Sequence, residues 1–174
     1  MADRSDDAAE TSPAEVPSAQ QVDTRFIESL IGYNARRASL VSIGEFLKRM
    51  AVYDLRPVDF SVLCLVTHNP GITSRQLCTT LGMLPPNLVG MVNAFEARKL
   101  IARKPHPSDG RAMGLHLTVA GKKLMRDAEH TAAELEADAA SRLSASKKKT
   151  SIRLLQMVYL LDALTSTNTR QTKV

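Results

Sequence analysis

The sequence predicts a mainly α-helical fold with one small β-hairpin, and three observations carry that prediction. Apolar residues recur at spacings of three and four through most of the chain from Asp23 onward. Prolines stand where helices begin, at Pro57 and at Pro85-Pro86. Two short alternating segments flank the turn-rich run PHPSDG. Composition agrees with a folded chain: 174 residues, 44% hydrophobic and 24% charged, can bury a core, and 8 Pro with 8 Gly exclude collagen-like sequence. No apolar run approaches the roughly 18 residues that span a bilayer. The N-terminus has no apolar stretch of the secretory type, so the expected setting is cytoplasmic, with no membrane partner.

The elements follow in order. Residues 1–20 hold five acids, one base, Pro13 and Pro17, and are expected to be a disordered acidic tail. Over 21–56 the face Phe26, Leu30, Tyr33, Arg37, Leu40, Gly44 and Leu47 predicts one long helix, from Asp23 to about Ala51, too long for a small lone domain. Pro57 opens a short apolar helix that ends at the Asn69-Pro70-Gly71 turn. Thr73 is a helix N-cap with Gln76 completing a capping box and Ile72 stapling against Leu77; that helix stops at Gly82. The next helix should begin at Pro86, because each residue before a proline is pushed out of the α region. Strands at 101–104 and 113–118 form the hairpin. A helix capped by Thr118 runs to about Leu143, and a last one from about Lys147 to Leu164 carries Ile152, Leu155, Val158, Tyr159 and Leu161. Residues 57–118 thus form one lobe, and 119–174 a C-terminal helical region.

Helix, helix, short turn, helix and β-hairpin is the order of a winged helix-turn-helix, in which the second helix of the motif enters the major groove and the hairpin straddles the backbone beside it. Charge supports a polyanionic partner. Within 98–126 eight basic residues face Asp109 alone. With 4% aromatic residues, stacking on single strands fits poorly and duplex DNA fits better. On the helix from Pro86, Leu88, Met91, Val92 and Phe95 face inward, and Pro86, Asn87, Gly90 and Asn93 face out. Gly90 mid-helix costs roughly 1 kcal/mol against alanine, so it needs a reason: close approach of DNA, or tight packing on a neighbouring helix. Asn87 and Asn93 have the chemistry to pair with adenine edges, or are simply solvated.

The stretch from Ile72 to Met125 resembles the core of a MarR-family transcriptional regulator. The matching pieces are S-R-Q-L before a glycine turn, F-E-A-R-K-L-I-A-R leading into the first wing strand, D-G-R at the wing tip and L-T-V-A-G opening the next helix. The resemblance implies a homodimer whose terminal helices interlock, so that 21–56 and 119–174 are dimerisation helices, with two lobes on a near-palindromic operator. It also implies roles: Asp109 orients and Arg111 inserts at the wing tip, Arg103 braces the wing, and Thr73, Ser74 and Arg75 lie near phosphates. Arg98, Lys104 and Ser108 complete the candidate DNA-binding set. Two positions depart from the family: Lys99 stands where glycine is usual, and Pro85-Pro86 replaces a serine-type cap.

Arg37 lies on an apolar stripe beside Tyr33 and Arg36, and a desolvated guanidinium must meet an acid or an anionic ligand. A salt bridge at a dimer interface is the plainer reading. The resemblance implies a small effector, an aromatic carboxylate or its thioester, for which Tyr33, Arg36 and Arg37 are the candidate ligands. Cys64 and Cys78 sit among apolar neighbours, where core packing is favoured over redox sensing. His68, His106, His116 and His130 show no metal-ligand spacing with each other or with a cysteine, so no metal or other cofactor is expected. No GxSxG, HExxH, P-loop or GxGxxG motif is present, which argues against an enzyme. The functional expectation is a ligand-released repressor; the alternative is a winged-helix protein–protein module that binds no operator.

Overall fold

The computed structural model describes residues 22–106, 109–141 and 143–168. The expected acidic tail, 1–20, lies outside them. Contacts divide the chain into two units, one up to Val41 and one from Ser42 onward.

In the first unit the long N-terminal helix is interrupted. A one-turn α1 (Arg25–Glu28) is followed by a break at Ser29 and Leu30, and α2 runs from Ile31 to Met50. The apolar spacing continues through the break, which is why the sequence predicts one helix. What interrupts it is local polar chemistry. The Ser29 hydroxyl donates to the Phe26 carbonyl at 2.6 Å, and the Asn34 amide donates to the carbonyls of Glu28 and Leu30 at 2.7 and 2.9 Å.

The second unit holds the core. A 3-10 turn (Ala51–Tyr53) closes α2, and α3 (Pro57–His68) begins at its proline as expected. Then come β1 (Ile72–Thr73), α4 (Ser74–Leu81), α5 (Pro85–Ala97), β2 (Ile101–His106), β3 (Asp109–Leu117), α6 (Val119–Ala140) and α7 (Ala145–Asn168). The three strands pair antiparallel in the order β1-β3-β2, with Ile72 opposite Leu115 and Ile101 opposite Leu117. Sequence reasoning missed β1, two residues whose pairing is entirely tertiary. Both wing strands are longer than expected, and β2, on an outer edge, accommodates Pro105 where no inward donor is needed. Met50, Leu63, Val66, Leu77, Leu88, Val92, Phe95, Leu115 and Met125 are each at most 2% exposed and form one cluster. The capping box is as expected: the Thr73 N–H donates to Gln76 Oε1 at 2.9 Å, and the Gln76 N–H to Thr73 Oγ1 at 3.3 Å. Helix α5 starts one residue early, at Pro85, with Leu84 extended as its cap. Helix α6 ends before the expected Leu143, and the Lys148 ammonium ties α7 to it through Glu136 at 3.2 Å.

One buried acid was not anticipated. Asp59, 6% exposed in the first turn of α3, accepts from the Arg56 backbone N–H at 3.1 Å and from its guanidinium at 2.8 and 3.1 Å. Burial pushes this carboxyl up. The Arg56 hydrogen bonds, aided by the charges of Arg56 and Arg98, outweigh it and hold the pKa below the usual value of 3.8. A carboxylate depressed in the folded state stabilises it above the unfolded pKa, and that contribution fades as pH falls through the lower folded value. Asp59→Asn should therefore lower stability at neutral pH by about 1–2 kcal/mol, the exposed guanidinium limiting the effect. The difference from the parent should shrink at a pH of about 3 and below. Urea denaturation at both pH values checks this, and an unchanged difference would remove Asp59 from the acid response.

Candidate nucleic-acid interface

Helices α4 and α5 meet through a tight turn. Gly82 caps α4 in the left-handed region at φ 61°, its N–H bonded to the Cys78 carbonyl, and the Met83 N–H donates to the same carbonyl at 3.0 Å. The next turn is Leu84 leading into Pro85. The inward stripe of α5 is Leu88, Val92 and Phe95, all buried, with Met91 partly so. This leaves Pro86, Asn87, Gly90 and Asn93 exposed on the other side. A Cβ placed on Gly90 would meet nothing within 4 Å. Tight packing within the chain is therefore not the reason for this glycine.

The wing is fastened to α5 by one arginine. Arg103 on β2 donates to Asn93 Oδ1 at 2.8 Å and pairs with Glu96 at 3.3 Å, one turn further along the same helix face. Asn93 is thereby oriented by the wing, whereas the Asn87 side chain makes no hydrogen bond among the described residues. Glu96 was not anticipated, although its spacing of three from Asn93 was visible in the sequence.

Arg98 has a part in the fold itself. Its guanidinium donates to the carbonyls of Asp54 and Tyr53, both at 2.9 Å, and lies 3.6 Å from the Asp54 carboxylate. These contacts fix the end of α5 to the turn after α2 and engage two of the five guanidinium N–H donors. Lys99 closes the helix in the left-handed region at φ 56°, the conformation glycine usually supplies. At the start of α4, Ser74 is half-buried and Arg75 exposed. Among the described residues Arg75, Lys99, Lys104, Lys122 and Lys123 form no ion pair, which leaves them available to a polyanion. Asp109 and Arg111 lie at the start of β3, with Asp109 opposite His106; Ser108 lies outside the described residues.

The candidate effector residues lie on α2. Tyr33 is half-buried, and Arg36 and Arg37 are exposed, with no ion pair among the described residues. Arg37 is thus not desolvated within the single chain, contrary to the expectation from its stripe. Burial raises the Cys64 thiol pKa, with the Glu129 charge and hydrogen bond adding to it, as expected of a thiol that is inert on its own. The reading of the histidines needs correction. Cys64 and His68 are four residues apart on α3, which is ligand spacing on a helix, and Glu129 of α6 joins them.

Comparisons with known proteins agree on the type. A family model, the MarR family, matches residues 53–112. A solved structure of the transcriptional repressor CouR bound to a 23-mer DNA duplex is 33% identical, with a TM-score of 0.74, covering 79% of this chain and 98% of that one. CouR bound to p-coumaroyl-CoA is 31% identical, with a TM-score of 0.71, over 79% and 97%. A Thauera aromatica protein described as a transcriptional regulatory protein for the hcr operon is 27% identical over 142 residues, 81% of this chain and 86% of its own length.

Gly90→Ala tests the exposed face of α5. Because the added methyl meets open space, the variant should gain about 1 kcal/mol of stability from helix propensity. Its affinity for duplex DNA should nevertheless fall, since the methyl occupies the approach to the groove. Denaturation and fluorescence anisotropy separate the two effects, and a stabilised variant with undiminished affinity would take Gly90 out of the interface.

Proposed function

Because this chain belongs to the MarR family of transcriptional regulators, we propose that it is a repressor that binds a near-palindromic operator as a homodimer and is released by an aromatic carboxylate or its coenzyme A thioester. The observation that carries this reading is the pairing of an exposed, small and amide-bearing α5 face with a wing held to it by Arg103, in a segment whose free cations outnumber its acids. A wing that served only protein contacts would have no use for that charge. Pro86, Asn87, Gly90 and Asn93 face the groove; Thr73, Ser74, Arg75 and Lys104 lie toward phosphates; Asp109 positions Arg111 at the wing tip.

The dimer is supported by apolar surface that one chain leaves uncovered. On α7, Ile152, Leu155, Val158 and Tyr159 are all exposed, Tyr159 to 59%. In the N-terminal unit Phe26 is 76% and Ile31 68% exposed. Stripes of this kind on terminal helices suit a second copy of the chain.

The DNA reading is tested by gel shift on the region upstream of the gene. Affinity should fall steeply with salt as phosphate counterions are released. Arg111→Ala should lose at least about tenfold in affinity, the lower end of what one groove contact contributes, while its melting temperature stays unchanged. Wild-type affinity in Arg111→Ala would sink the wing assignment.

The effector reading is supported by the p-coumaroyl-CoA complex of CouR and by the guanidinium groups of Arg36 and Arg37, exposed near Tyr33 and without an ion pair among the described residues. A ligand that favours a lobe spacing different from the one DNA requires shifts the population away from the DNA-competent form. About 2.7 kcal/mol of coupling gives a hundredfold loss of affinity. p-Coumaroyl-CoA and free benzoate- and cinnamate-type acids should release operator from the wild type, and markedly less from Arg37→Ala. Equal release from that variant would assign Arg37 to a structural ion pair.

A further inference from the structure

Where α3 of the lobe packs on α6, three side chains of unlike chemistry converge, apart from the residues assigned to DNA and effector. Cys64 and His68 lie one turn apart on α3, and Glu129 reaches them from α6. The Cys64 sulfur, a His68 ring nitrogen and a Glu129 carboxylate oxygen all lie within 4.8 Å of one another. His68 Nε2 and Glu129 Oε1 are 3.0 Å apart.

We propose that Cys64, His68 and Glu129 form a binding site for a thiophilic divalent cation of the Zn2+ class, joining α3 to α6, with a fourth position open to water. The donor set selects the ion. A thiolate and an imidazole disfavour Mg2+ and Ca2+, which take all-oxygen shells, and suit Zn2+ and Co2+. The geometry is close to that required. Tetrahedral bonds of about 2.0–2.3 Å place neighbouring donors roughly 3.3–3.7 Å apart. The His68–Glu129 pair, at 3.0 Å, is already slightly inside that range, and the sulfur lies within 4.8 Å of both.

Access and charge agree. The His68 side chain is 64% exposed and Glu129 30%, so an ion can enter from solvent and keep a water ligand. The Glu129 carboxylate disfavours the bare thiolate and is among the causes that raise the thiol pKa; a cation between them reverses the sign of that interaction. On binding, the thiol proton passes to solvent, His68 coordinates as the neutral ring through Nε2, and its remaining proton sits on Nδ1. The site spans 61 residues of sequence between His68 and Glu129, so a bound ion ties the helix below the recognition motif directly to the long helix that follows the wing.

The test is a titration of the reduced, full-length protein with Co2+. One equivalent per chain should bind and give thiolate-to-cobalt charge-transfer absorption, which Zn2+ then displaces. Cys64→Ser should abolish the band and Cys78→Ser should retain it. His68→Gln, at an exposed position that the fold does not depend on, and Glu129→Gln should each weaken binding at least about tenfold, as loss of groups holding a metal does. Zn2+ should also protect Cys64, and not Cys78, from alkylation. No charge-transfer band in the wild type at millimolar Co2+ would overturn the proposal, as would a band that persists in Cys64→Ser, or unchanged affinity in both His68→Gln and Glu129→Gln.

Discussion

The second unit depends on what happens at one carbonyl group. Leu100 follows the left-handed Lys99 that ends α5, and its oxygen accepts the Thr118 N–H at 3.0 Å. The Thr118 hydroxyl donates to the Lys99 carbonyl at 2.6 Å and accepts the Gly121 N–H at 3.0 Å, so it caps α6 from the same place. A Cβ on Gly121 would lie 2.0 Å from the Leu100 oxygen, a distance no side chain can occupy. The end of α5, the first wing strand, the return strand and the first turn of α6 are therefore set by a handful of contacts. The resemblance carried by L-T-V-A-G has this physical content. Threonine supplies the cap and glycine the closeness.

Around that joint two arginines link the elements of the lobe. Arg98 ties the end of α5 back to the turn after α2, while Arg103 ties its middle forward to the wing. Two arginines thus cross-link the lobe, and the lysines around them that form no ion pair among the described residues keep their charge for solvent or a polyanion. This separates positioning from attraction, as expected where phosphate contacts set orientation and affinity while a rigid helix presents the groups that distinguish sequence.

Most of the lobe was legible in the sequence because its signals are local. The Thr73–Gln76 box, Pro57, the Gly82 turn and the Thr118 cap each lie within four residues of what they specify, and the Pro85-Pro86 pair marks the start of α5 to within one residue. The failures share the opposite property. Continuous apolar spacing hid the break at Ser29 and Leu30, because periodicity reports burial and not the side-chain hydrogen bonds of Ser29 and Asn34. β1 exists only through its partner at Leu115. The bonds of Arg98 to Tyr53 and Asp54 join residues more than forty positions apart, which no local spacing reports. Cys64 and His68 were adjacent enough to notice, but their third companion comes from another helix.

The small sheet has a consequence for solubility. A three-stranded sheet of this size presents two free edges, and a free edge is an invitation for another chain to add a strand. One edge is β1, only two residues long. The other is β2, where Arg103 and Lys104 are followed by Pro105, which has no N–H to offer, and where the register slips between Pro105 and His106. Pro105 and the slipped register blunt the β2 edge, while on the other side β1 covers only Gly114 and Leu115 of β3. Where several wings are held close together along a nucleic acid, strand addition through β2 is therefore disfavoured, and the outer rim of β3 is the side on which a ribbon could grow.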